Sequence, residues 1–124
     1  MTQAQVVVEL DLRRGRSAAG QSDYKQAFVA ATSSGNTQIV AAVSGRRIRV
    51  LWIQTTNAGG TANRVRLQSD STNITAQHDT APDGGGWNLN TAPAFFCETV
   101  AGEPLNINLE ANGTIDVTLG YVEA

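Results

Sequence analysis

The chain has 124 residues, 41% hydrophobic and 16% charged, with a formal net charge of −2 and a sequence pI of about 5.2. This is the length of one domain able to bury a real core, and it has no excess of positive charge to draw it onto nucleic acid or an anionic membrane. A lone cysteine, Cys97, excludes a disulfide framework, and no apolar run reaches the ~18 residues of a membrane helix.

Met1-Thr2-Gln3-Ala4-Gln5 lacks the charged start and apolar run of a signal peptide, so the expectation is a soluble protein made in a cytoplasm. Without a secretion signal, the glycosylation-like triplets Asn73-Ile74-Thr75 and Asn112-Gly113-Thr114 read as ordinary strand and turn residues. The first predicted strand covers residues 5–12, with Val6, Val8, Leu10 and Leu12 on one face and Val7, Glu9 and Asp11 on the other. A basic loop follows over residues 13–22, carrying Arg13, Arg14 and Arg16 between glycines and alanines. Residues 1–24 thus form an N-terminal strand and basic arm, and residues 25–124 a β-sandwich domain.

Within that domain the pattern predicts strands over 27–31, 37–43 and 47–56, separated by turns at Ser33-Ser34-Gly35-Asn36 and Ser44-Gly45. In the long third strand Ile48, Val50, Trp52 and Gln54 would share one face, opposite Arg47, Arg49, Leu51 and Ile53. A loop at residues 57–61 leads to a strand over 64–68, in which Arg64 and Arg66 alternate with Val65 and Leu67, and to another over 73–77. Pro82-Asp83-Gly84-Gly85-Gly86 breaks regular structure, a flexible loop beside an edge strand, before Trp87-Asn88-Leu89. Residues 94–99 form a short strand, and 105–110 and 114–122 flank Asn112-Gly113, a dipeptide suited to a type I′ hairpin turn. About eight strands in this length fit an all-β, two-sheet jelly roll, with an immunoglobulin-like sandwich as the alternative.

Catalytic and metal chemistry find little footing. Cys97 beside Phe95-Phe96 reads as a buried apolar residue, and His78, the one histidine, as an exposed strand-end residue. One histidine cannot supply a cupin-type metal centre. Asp70, Asp79 and Asp83 invite a calcium reading, but Asp in turns bonds to nearby backbone without any metal. Glu98 and Glu103 lack the partners of an acid–base pair, and Gly84-Gly85-Gly86 lacks the lysine and helix of a phosphate loop. The expectation is no enzyme, no cofactor and no metal. Arginines outnumber the single Lys25, and arginine suits desolvated bidentate contacts. Arg13, Arg14 and Arg16 are therefore assigned to an acidic protein partner. Arg47, Arg49, Arg64 and Arg66 read as a solvated or inter-subunit strand face, and Trp52 and Trp87 as core or interface anchors.

Three stretches carry a likeness to known proteins: Ile39-Val40-Ala41-Ala42-Val43-Ser44-Gly45-Arg46-Arg47-Ile48-Arg49-Val50, then Phe96-Cys97-Glu98-Thr99-Val100-Ala101-Gly102-Glu103-Pro104-Leu105-Asn106-Ile107, and the closing Gly120-Tyr121-Val122-Glu123. Over residues 37–121 the chain resembles a family of small phage virion proteins. The resemblance implies a β-sandwich that trimerises and sits on the phage head as a decoration (cement) protein, binding the major capsid protein and stabilising the shell. Membership in the virion, on the capsid surface, is the localisation it implies. Its alternative is a receptor- or glycan-binding module of a tail or fibre, with an exposed Trp87 beside Asp83 as the recognition surface. No contact with nucleic acid or membrane is implied.

Overall fold

A computed structural model describes residues 24–124. The strand expected over residues 5–12 and the basic loop with Arg13, Arg14 and Arg16 lie outside the described residues.

Ten strands run in chain order: β1 (Tyr24–Ala31), β2 (Gly35–Val40), β3 (Ile48–Asn57), β4 (Asn63–Ser69), β5 (Thr72–Asn73), β6 (His78–Thr80), β7 (Asn88–Asn90), β8 (Cys97–Glu98), β9 (Leu105–Leu109) and β10 (Ile115–Glu123). They form two antiparallel sheets. The first has the order β1-β10-β3-β7, with β8 also on β3, and the second β2-β9-β4-β5, with β6 also on β4. The fold is therefore an all-β sandwich, as its composition and patterning predict. Most connections cross from one sheet to the other, and β1 pairs with β10 along its whole length, from Tyr24↔Val122 to Ala31↔Ile115. This order is compatible with a jelly roll.

The core lies between the sheets and is built from the inward members of the long strands. Ile48, Val50 and Ile53 meet Val117 and Leu119 from the first sheet, and Val65, Leu67, Ile107 and Leu109 from the second. Strict alternation in Leu105-Asn106-Ile107-Asn108-Leu109 shows why: three aliphatic side chains go in and two amides go out.

Strand β3 departs from the simple alternation. Gly120 faces Trp52 but Tyr121 faces Val50, so Leu51 is an extra residue on β3, a β-bulge. Before it Ile48 and Val50 are buried; after it Ile53, Thr55 and Asn57 are. Each of the two faces expected from the sequence is thus half right, and Trp52 turns to the outside. There its indole N–H donates to the Tyr24 hydroxyl, above a glycine, Gly120, where a Cβ would overlap both rings.

Asn112-Gly113 is a second correction. Neither residue has positive φ, and the flanking strands β9 and β10 belong to different sheets. The segment is a crossover at one end of the sandwich, held by the Ser34 N–H to Asn112 Oδ1 at 2.8 Å and the Gly113 N–H to the Thr32 carbonyl at 3.2 Å. The tight hairpin turn is instead Asp70-Ser71, between β4 and β5, where Asp70 takes φ 53°.

The glycine run is also more ordered than expected. The Gly84 N–H donates to the Asn57 carbonyl at 2.7 Å, the Asn57 N–H to the Gly85 carbonyl at 2.6 Å, and the Thr55 N–H to the Trp87 carbonyl at 3.0 Å. These bonds lay residues 84–87 along β3, so close that a Cβ on Gly86 would overlap the Thr55 carbonyl.

Candidate interaction surfaces

A sandwich presents two outer faces, and here they differ in chemistry. On the first sheet, Gln26, Phe28 and Ala30 of β1 point outward, because Ala27, Val29 and Ala31 point toward the core. The register places Phe28 beside Thr118, which in turn faces Gln54, and Gln26 beside Gly120, which faces Trp52. Phe28 is 82% exposed, the most exposed large apolar side chain among the described residues. Charge on this face comes from Asp116 and from Arg49 with its register partner Glu98, 3.7 Å apart, the Arg49 guanidinium lying 4.7 Å over the Phe95 ring. A sparsely charged surface with an exposed aromatic side chain has the composition of an interface core.

The outer face of the second sheet is polar throughout. Gln38, Asn106, Gln68 and Asn73 stand in one cross-strand row, and Asn36, Asn108 and Arg66 in the next. Farther along β4, Arg64 contacts Asp79 at 2.8 Å and Glu110 at 3.8 Å, beside a shallow groove also lined by Asn63 and Thr80. Arg49 lies on the first sheet, with Arg47 just before it, while Arg64 and Arg66 lie on the second, so these four arginines are divided between the two sheets.

Phe28 is the residue that sequence reasoning missed. Phe28-Val29 puts two large apolar residues in succession on a strand, so one of them must face away from the core. That signal was present, but only the pairing with β10 shows which one it is.

The two stretches 39–50 and 96–107 meet in space. Arg46 N–H to the Val43 carbonyl closes one turn with Gly45 at φ 73°, and Glu103 N–H to the Val100 carbonyl closes another with Gly102 at φ 83°. The Gly102 N–H then donates to the Arg46 carbonyl at 2.8 Å, docking turn on turn, and the Ile48 N–H donates to Thr99 Oγ1 at 2.9 Å.

The remaining candidates take structural places. Cys97 is buried on β8 against Val50, and burial pushes its thiol up to about 12, the opposite of an activated nucleophile. His78 is not the exposed residue expected: it is half-buried on β6 and stacks on Trp87 with ring centroids 4.0 Å apart, and Trp87 meets Phe96 edge-on at 6.2 Å. Trp87 packs against the core with one ring face closed by His78; it is an anchor for residues 84–90, not an open platform. Asp79 is engaged by Arg64, and Asp70 and Asp83 occupy positive-φ turns. Glu98 lies by Arg49, while Glu103 accepts from Ser69 Oγ at 2.6 Å. Among the described residues no three His, Cys, Asp or Glu side chains gather as a metal site requires.

Compared with known proteins, the chain matches no protein-family model and no curated sequence.

Proposed function

We propose that this protein is a phage capsid decoration protein, a homotrimer that binds the major capsid protein on the outer surface of the head and stabilises the shell. The observation that supports a protein-binding role is Phe28, 82% exposed on the edge strand β1, on the sparsely charged outer face of β1, β10 and β3. An aromatic side chain in such a setting is the usual anchor of a protein contact. The kind of partner comes from the resemblance of residues 39–50 and 96–107 to phage virion proteins. Arg13, Arg14 and Arg16 add a second contact from the arm, reaching acidic groups on neighbouring subunits. Several such contacts per trimer turn modest single affinities into firm retention.

Immunogold electron microscopy of the parent particle, with an antibody against the full chain, tests this reading. Label spread over the head supports it; label confined to the tail or fibres replaces it with the receptor-binding alternative. A companion measurement is attachment of purified protein to heads lacking it. Deleting residues 1–23 is expected to weaken attachment while leaving the sandwich folded, because both sheets and the core between them are built from residues 24–124.

A further inference from the structure

We propose that residues 5–12 of this chain dock on the free edge of β1 as an additional antiparallel strand and close the open side of their own sandwich. This deepens the arm's part in the proposed function, but it rests on the edge of β1 and not on the capsid reading.

The two sheets end on the same side, because β1 and β2 are the outermost strands of their sheets and follow one another through residues 32–34. Among the described residues β1 pairs with β10 alone, residue for residue and without a register shift, and no strand lies on its other edge. A long regular edge is normally blunted by proline, a bulge or charge, or else it is covered. β1 has no proline and no bulge, and its one charged residue, Lys25, is engaged by Glu123 at 3.1 Å. The core is also less closed on this side. Val117 and Leu119, inward on the neighbouring β10, are 1% and 0% exposed, whereas Ala27, Val29 and Ile39 are only partly buried. The edge therefore offers a row of backbone groups together with a strip of aliphatic side chains.

The occupant follows from the chain that enters at Tyr24. Residues 5–12 are as long as β1 and alternate Val6, Val8, Leu10 and Leu12 with Val7, Glu9 and Asp11. With the aliphatic set turned to the strip, Val8 falls beside Ala27 or Val29, Val7 beside Phe28 or Ala30, and Glu9 and Asp11 go to the solvent side. Residues 13–23 reach up to ~36 Å when extended, enough to return the chain along the same edge. So short a tether holds the segment at about millimolar effective concentration, which a dilute second copy or foreign strand does not match. The connection would leave at the Tyr24 end of the sheet, where Val122 pairs with Arg49, and Arg47 and Ala124 exchange backbone hydrogen bonds at 2.7 and 2.8 Å. Arg13, Arg14 and Arg16 would then be displayed on a loop at the Arg47 end of the sandwich, a fixed basic feature for an acidic partner.

The test is backbone amide hydrogen exchange of the full chain, read by NMR. Alternate amides of β1 point at β10 and the others at the free edge, and both sets are expected to be protected. In the full-length double variant Val8→Asp, Leu10→Asp the edge set should exchange about a hundredfold faster or more, with the β3 and β10 amides unchanged. Carbon-13-selected NOEs from Val6, Val8 or Leu10 to Ala27 or Val29 are expected in the unmodified chain. They should persist when labelled chain is refolded with an excess of unlabelled chain, and they decide the matter alone if the double variant does not fold. Edge amides that exchange freely in the unmodified chain would overturn the proposal. So would NOEs that fade on refolding with unlabelled chain, which would put a neighbouring copy's segment on the edge. Antibody labelling of phage heads is independent of either result.

Discussion

The two outer faces of this sandwich are built on the same scaffold and do opposite things with it. Behind both, every second residue fills a shared core: Val117 and Leu119 behind the first face, Ile107 and Leu109 behind the second. In front, the first face sets Phe28, Thr118 and Gln54 side by side, and the second sets Gln38, Asn106, Gln68 and Asn73. The core therefore leaves the outward positions free to vary, and function is to be sought in what they hold. A face with an 82% exposed phenylalanine and little charge is the one on which the proposed protein contact rests. A face of amides and ion pairs is made to stay wet.

The largest expected effect comes from breaking the first face at Phe28. Phe28→Asp should lower attachment to phage heads by thirtyfold or more, about 2 kcal/mol or above for an anchor residue, while the thermal midpoint of the free protein barely moves. Retained attachment in a co-sedimentation assay would show that this face is not the one used. Gly120→Ala should come next. Its new Cβ overlaps Trp52 and Tyr24, so chemical denaturation should show a loss of about 1–3 kcal/mol, as for other overpacked sites.

Between the faces, Cys97 gives a pH signature. Its thiol is raised from 9.0 to about 12 by burial, so the unfolded chain loses this proton while the folded one keeps it. Its contribution to stability is whole below pH 9 and is lost as pH rises toward 12, at about 1.4 kcal/mol per unit. Cys97→Ala should flatten most of this slope. Part should remain, because Tyr121 is also raised by burial and by Glu123, against an opposing pull from Lys25. The smallest effect belongs to the second face: Arg64→Ala removes an exposed pair with Asp79 and Glu110 and should cost under about 1 kcal/mol, with head attachment unchanged. A loss of attachment here would erase the contrast between the faces.

Much of the architecture is legible in the residues. The strand at Leu105-Asn106-Ile107-Asn108-Leu109 and the Gly45 turn fall where the sequence places them. What alternation cannot show is partnership. Asn112-Gly113 has hairpin composition, yet its flanking strands pair elsewhere, because the Ser34 and Thr32 contacts hold the segment across the end of the sandwich. The bulge at Leu51 is equally silent, since all of Val50, Leu51, Trp52 and Ile53 are apolar and either parity looks acceptable. The first face was hidden for the same reason: Phe28 acquires meaning only from the neighbours that register gives it. Cys97 is the buried apolar residue that its phenylalanine neighbours predict, whereas the glycines of residues 84–86, expected as a flexible loop, are laid closely along β3.

The bulge in β3 also sets how this chain can change length. In a strand with strict alternation, losing one residue turns everything beyond it inside out. Here Ile48 and Val50 face inward before Leu51, and Ile53, Thr55 and Asn57 after it. With Leu51 removed, the inward residues fall at every second position from end to end. A deletion at that one place would leave both halves of the strand facing as they do now, whereas a deletion a few residues to either side would carry a misfacing segment into the core. Leu51 is thus a joint at which the lineage of this fold can gain or lose a residue, and the neighbouring positions are places where it cannot.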